Sequence, residues 1–348
     1  MLAAVILGVV FAFPVQQGWP DEREALDYMA EAYRAINADD YSEAMRRLTK
    51  AKAEARRARS VAVLREIEAT QKWLTTLRRK WKELRRTREQ LESNPADRTA
   101  HRKMGAFYCF AKEDWKRGIP HLARGSDSVL RQIAQLELNR PSDVAARFHL
   151  GKKWLEAAEA ARDTKDARVM RLRARYWFLK AGAGTKKSTV RRAVNSQLEK
   201  ITLYPTRIVI WNTHNAMHGD RGTLECHLVL VNGGQTVSAG KLQLPWSAER
   251  NMPYVAILAG KPVDEVRIEV TRWPRNGGGL AEVQIFQGRT NLATGCEVRA
   301  SASFREGFTH DNLTDGITGA TEEKFSKGYW LLPHKTKGWC SFHLDKAK

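Results

Sequence analysis

Residues 207–231 read RIVIWNTHNAMHGDRGTLECHLVLV, and residues 264–286 read DEVRIEVTRWPRNGGGLAEVQIF. In both, apolar residues recur at every second position, the period of a half-buried strand. Around them RIVIW, LECHLVLV, KLQLPW, YVAILA, EVRIEVTRW and AEVQIF form short apolar runs, bounded by the turn formers N-G-G, G-K-P and N-G-G-G. Short strands joined by such turns predict an antiparallel sandwich of jelly-roll type. Upstream of Tyr204-Pro205 the period is helical, with few breakers from Asp21 onward. The expected fold class is therefore an α+β multidomain chain: an all-α domain of helical hairpins, then an antiparallel β jelly roll.

A second stretch, residues 291–344, reads NLATGCEVRASASFREGFTHDNLTDGITGATEEKFSKGYWLLPHKTKGWCSFHL. Its NLA opening, the alternating V-R-A-S-A-S, the T-D-G-I turn, the following Trp and the final short strand resemble the first half of a discoidin domain. That family is also called coagulation factor V/VIII type C, or galactose-binding-like. Residues 207–286 resemble its second half: a strand, an N…R loop, a strand, and a closing pair of strands of which the last carries a Glu. Together the two stretches cover about 40% of the chain. The halves stand in reversed order. Either one domain of roughly 145 residues is circularly permuted, or two modules lie in tandem and the second is cut short. Permutation fits better, because a half jelly roll leaves open sheet edges and an uncovered core, whereas a fold with adjacent termini permutes easily.

The resemblance also implies where a ligand sits. In galactose-binding relatives the loop equivalent to WNTHNAMHGDRGT supplies an Asn and an Arg that grip sugar hydroxyls. Here that loop offers Asn212, His214, Asn215, His218, Asp220 and Arg221, of which His214, Asn215 and Arg221 are the candidates, with strand packing as the alternative role for Arg221. A His near the Trp of the first half maps to His334, and an aromatic platform before the closing strand maps to Trp273, which a buried anchor would explain as well. Sugar recognition uses planar donors for hydroxyls and an aromatic face for the C–H side. Many members hold a structural calcium. The matching positions are Asn312, Asp315 and Glu282, with an Asx turn as the alternative reading of that loop.

Organisation follows from composition. Residues 1–203 hold 42 Lys+Arg against 25 Asp+Glu, a net of +17, while residues 204–348 add only +3 of the chain's +20. The basic half favours anionic partners, unless its charges simply solvate a helical surface. Residues 1–18 open with thirteen apolar residues up to Phe13, the length of a signal-peptide core and short for a membrane span. A signal peptide or short anchor is expected, without a basic n-region, and hence a secreted or cell-envelope location. Residues 19–93 predict a helical hairpin and one long basic helix over 61–92. There Trp73, Leu77, Trp81 and Leu84 make a buried stripe and LRRKWKELRRTREQLE carries the charge. Ser93, Asn94, Pro95 and Asp97 read as a stop and a new N-cap.

Residues 94–203 predict further α-hairpins. Three helix pairs in the N-terminal half loosely resemble tetratricopeptide repeats. Tyr33 with Ala44, Leu48 and Ala51 makes the first; Met104, Gly105 and Tyr108 with Gly118 and Leu122 the second; Leu150, Gly151 and Trp154 with Ala174, Phe178 and Ala181 the third. The 34-residue period of that family is not kept, so stacked hairpins rather than a regular superhelix are expected. Residues 204–348 form the β module, with halves 204–288 and 289–348.

Cys109, Cys226, Cys296 and Cys340 match no zinc spacing. Cys109 reads as a core thiol, and one disulfide among the other three fits an exported chain. No G-x-S-x-G, H-E-x-x-H, phosphate loop or dinucleotide fingerprint is present, and no enzyme is expected. The reading is a non-catalytic exported binding protein for carbohydrate or a cell-surface glycan, with calcium as its only expected cofactor. The alternatives are a scaffold whose helical half docks a protein partner, or polyanion binding by the basic helix. Nucleic acid is not expected as a partner, nor membrane association except through an uncleaved N-terminus.

Overall fold

The computed structural model describes residues 23–162, 164–215, 218–249, 251–318 and 328–348. The apolar N-terminal segment lies outside them. Helices come first and sheets after, in two compact units that divide at Val190/Arg191.

The helical unit contains α1 (Arg23–Asn37), α2 (Tyr41–Arg57), α3 (Val61–Glu83), α4 (Arg85–Ser93), α5 (Arg98–Ala106), α6 (Trp115–Leu122), α7 (Ser128–Leu138), α8 (Val144–Ala160) and α9 (Lys165–Ala183). Short polar residues start most of them. Asp40, Ser60, Asp97, Asp114, Asp127, Asp143 and Thr164 each accept the backbone N–H three residues on, satisfying an otherwise orphaned donor.

The three expected pairs are antiparallel hairpins. Glu31 meets Arg47 across α1 and α2, while Lys50 sits over Tyr28. Across α5 and α6, and across α8 and α9, glycines permit close approach. A Cβ on Gly105 would lie 2.8 Å from the Leu122 backbone nitrogen, and one on Gly151 would lie 2.7 Å from the Phe178 ring. Gly118 is the tightest: a Cβ there would strike the Cys109 sulfur and sit 2.8 Å from the Cys109 backbone nitrogen. Gly118→Ala should therefore cost about 1–3 kcal/mol by overpacking, read as a shift in urea midpoint. An unchanged midpoint would mean that the hairpin opens freely.

The basic helix expected over 61–92 is interrupted. Leu84 has φ −83° and ψ 4°, α3 ends before it and α4 starts after it. Arg88 stabilises the break by donating to the Trp81 carbonyl at 2.8 Å while its guanidinium stacks 4.0 Å from the Trp81 ring. This cross-turn device has no sequence period of its own, and the apolar spacing of Trp73, Leu77, Trp81 and Leu84 passes over it. Leu77 is buried, and Trp73, Trp81 and Leu84 pack partly buried against the same core. A π-helical turn, Phe107–Ala111, follows α5 and brings Phe107, Tyr108, Cys109 and Phe110 all into the interior.

The division falls within α10 (Ser188–Leu198), whose residues from Arg191 on belong to the second unit, ahead of the junction read at Tyr204. Asn195 accepts the Ala347 N–H at 3.1 Å, and Glu199 pairs with Lys346. The strands are β1 (Arg207–Asn212), β2 (Glu225–Asn232), β3 (Gln235–Gln243), β4 (Met252–Ile257), β5 (Glu265–Arg272), β6 (Gly279–Gln287), β7 (Thr290–Asn291), β8 (Cys296–Ala300), β9 (Trp330–Leu331) and β10 (Gly338–Ala347). They form two antiparallel sheets, one ordered β4-β1-β6-β7 with β9 also paired to β6, the other β3-β2-β5-β10-β8. Alternation sets the core: Ile208 and Ile210 of β1, Val266, Ile268 and Val270 of β5, and Val283 and Ile285 of β6 are buried. Strands from both sequence segments enter both sheets. β10 lies between β5 and β8, and β7 and β9 pair with β6. The segment around Phe304, Phe308 and Tyr329 packs on Trp211 and Ala281, so β6 is covered on both faces. All four cysteines are buried and outside any disulfide, so the bond expected among Cys226, Cys296 and Cys340 does not form; burial pushes the Cys226 thiol up to about 12.

Candidate functional site

Three loops of the β unit are tied into one cluster. The loop after β1 holds Asp220 and Arg221, the loop after β5 holds Asn276 and Gly277, and the loop after β9 holds His334. Main-chain bonds fix them together: Asn276 N–H to Asp220 O at 2.9 Å, Gly222 N–H to Gly277 O at 3.2 Å and Lys335 N–H to Asn276 O at 2.9 Å. Side chains repeat the tie, since the Asp220 carboxylate accepts from Asn215 at 2.5 Å and from Asn276 at 2.8 Å. Burial pushes the Asp220 carboxyl up, but these two amides and the Arg221 charge hold it below the usual value.

Arg221 is the floor of this cluster. It is 2% exposed and pairs with no carboxylate among the described residues. Its guanidinium donates to the Leu332 carbonyl at 2.5 Å and to the His334 ring at 3.2 Å. The same group lies 4.1 Å from the centre of the Phe304 ring, and Phe304 meets His334 edge to face at 5.1 Å. Burial lowers the Arg221 pKa, and Arg305 adds to this, against the pull of Asp220. The guanidinium hydrogen-bonds no carboxylate among the described residues, feels the charge of the neighbouring Asp220, and favours oxygen acceptors beside it. Around it His334, Asn276 and Arg305 are exposed and Phe304 is half-buried. Gly277 lets its backbone close on the guanidinium, because a Cβ there would sit 2.8 Å from Arg221.

The structure thus joins Arg221 and His334, sets Asn215 behind them through Asp220, and places His214 and Trp273 apart. Asn215, 8% exposed and at φ 59°, orients Asp220. His214 is 4% exposed; its Nδ1 bonds Asn251 at 2.8 Å, and its ring lies 6.5 Å from Tyr329. Trp273 is half-buried just after β5, and no bond or ring contact among the described residues links it to the cluster. The aromatic that does join the cluster, Phe304, is absent from the sequence reading. Its signal was a Phe-Arg pair, Phe304-Arg305, placed where the V-R-A-S-A-S alternation stops.

Of the three calcium candidates, Glu282 meets the Asp315–Gly316 turn that follows the 3-10 helix His310–Thr314, and Asn312 lies within that helix. Glu282, on β6 and 1% exposed, accepts the Gly316 N–H at 3.2 Å and forms no ion pair with Lys or Arg among the described residues. Burial pushes its carboxyl up to about 8, the Gly316 N–H opposes this and the Asp315 charge adds to it. Asp315 accepts the Ile317 N–H at 2.8 Å, which is an Asx turn. Asn312 spends its amide N–H groups on the Gly307 and Tyr329 carbonyls at 2.8 and 2.9 Å, which leaves its oxygen as the donor atom for a cation. No three His, Cys, Asp or Glu side chains converge among the described residues. A cation here would draw on two carboxylates together with amide and backbone oxygens, a hard donor set that suits calcium.

No family model, no curated protein and no solved structure matches this chain.

Proposed function

We propose that the β unit is a circularly permuted discoidin-like jelly roll that binds carbohydrate, non-catalytically, through the Arg221 cluster. The observation that carries this reading is the buried Arg221 guanidinium, held by Leu332 and His334 against the Phe304 ring without a carboxylate partner. A sugar meets both demands of such a site: vicinal hydroxyls for the cation and the imidazole, and a C–H face for the ring. Strands of both segments in both sheets support permutation over two tandem modules, because each segment closes edges that the other leaves open. Arg221 then has two roles, as it also ties two loops together. Calcium at Glu282, Asp315 and Asn312 would brace the neighbouring turn. The helical hairpins, tetratricopeptide-like in their close contacts, would accompany the module, and the chain would act outside the cell or in its envelope.

His334→Ala tests the reading, since His334 is exposed and its removal leaves the core intact. On a glycan array, the full chain should bind a restricted set of neutral sugars, and His334→Ala should weaken that binding by about tenfold or more, in keeping with one lost hydrogen-bonding group. Gly277→Ala should have the same effect by displacing the guanidinium. Selective binding that survives both substitutions would place the sugar site elsewhere, and no selective binding at all would remove the reading.

A further inference from the structure

Residues 72–88 hold eight Lys and Arg and one acidic residue, Glu83. They form the end of α3 and the start of α4. The aromatics of this stretch face inward. The Trp73 indole donates to the Ala111 carbonyl at 3.2 Å, and Trp81 lies 5.9 Å from Tyr41 and 5.4 Å from Phe107. Lys72, Arg78, Arg79, Lys82, Arg85 and Arg86 are all exposed. Arg79 and Arg85 have helical partners, Glu83 at 3.2 Å and Glu89 at 3.5 Å, and such surface pairs yield readily to a competing anion. Lys72, Arg78, Lys82 and Arg86 form no ion pair among the described residues.

From Lys72 to Lys82, within α3, the helical rise spans about 15 Å, and Arg86 follows on α4. A single phosphate or carboxylate would meet one or two of these cations; only a chain with repeated anionic groups meets them all. With both Trp side chains turned in, the face offers no stacking platform for unpaired bases, so recognition runs on charge. We infer that the outer face of α3 and α4 binds an acidic polysaccharide. The choice of polysaccharide rests on the glycan reading of the β unit, whereas the requirement for a linear polyanion rests on the helices alone.

The test uses the full chain with heparin as the probe, titrated between 50 and 200 mM salt. With the four unpaired cations engaged, the slope of log affinity against log salt should lie near −3.6, and affinity should fall roughly 150-fold over that range, taking the counterion-release slope of a duplex-like charge density. The variant Lys72→Gln/Lys82→Gln/Arg86→Gln, exposed at every position and checked for an unchanged melting temperature, should lose about three-quarters of that slope. His334→Ala should keep heparin binding while losing the neutral sugars, so failure of one reading is distinguishable from failure of the other. No heparin affinity at 50 mM salt, or an unchanged slope in the triple variant, would overturn the inference. Duplex DNA displacing heparin at equal charge concentration would overturn it in favour of nucleic acid.

Discussion

Asp39→Ala should destabilise the helical unit by about 3–5 kcal/mol, the usual cost of leaving a buried charge without its partner. Asp39 follows α1 at φ 63° and accepts from four side chains. These are Lys112, Tyr41 at 2.7 Å, Tyr108 at 3.2 Å and Arg117 at 2.6 Å. Lys112 is 0% exposed. Burial lowers its pKa, and Asp39 restores part of the shift. Burial likewise pushes the Asp39 carboxyl up, but the Lys112 and Tyr41 hydrogen bonds, with the Lys112 and Arg117 charges, bring it below the ordinary carboxylate value. A depressed carboxyl contributes stability above its unfolded pKa and loses it as pH falls through the folded one, so acid should erode this contribution only below about pH 4. Two further variants separate the terms. Asp39→Gly removes the carboxylate without strain at positive φ, and Asp39→Gly/Lys112→Met removes both charges and should recover most of the loss. Urea unfolding reads all three, and a single-variant loss below 1 kcal/mol would mean that water reaches Lys112.

The second large effect belongs to Glu282. Its folded pKa near 8 stands above the unfolded value of 4.5. A raised pKa gives stability that is whole below the unfolded value and declines as pH climbs through the folded one. The β unit should therefore weaken between about pH 4.5 and 8, by up to on the order of 4 kcal/mol. Glu282→Gln, nearly isosteric and neutral, should flatten that profile and melt higher than the parent at pH 8. Calcium should raise the parent's melting temperature at pH 8 and leave Glu282→Gln unmoved. A profile equally steep in Glu282→Gln would assign the pH dependence to another group. A flat calcium response in both would reduce the loop to its Asx turn.

Much of this was legible along the chain. Period-two runs such as EVRIEVTRW marked β5 because alternation is local, and the Ser93 to Asp97 stop was marked by residues that cap or break helices by their own chemistry. Leu84 was not legible. Its break depends on Arg88 folding back onto Trp81, and apolar spacing does not record which side chain reaches which carbonyl. The candidate site divides in the same way. Arg221 and His334 were picked from sequence, yet 111 residues separate Arg221 from its Leu332 acceptor. Spacing along the chain sets Arg221 and His334 beside His214, Asn215 and Trp273 and does not record which of them meet.

The amino-acid order by itself determined that helices precede strands and that the basic charge sits in the first half. These properties belong to neighbours in the chain, where propensity, capping and periodicity act. Tertiary structure alone decided that β10 enters beside β5, that Phe304 rather than Trp273 faces Arg221, and that Asp39 gathers Lys112 and Arg117 from more than seventy residues away. Each is a long-range pairing whose energy comes from desolvating groups together, and that energy exists only once the backbone has brought them into contact.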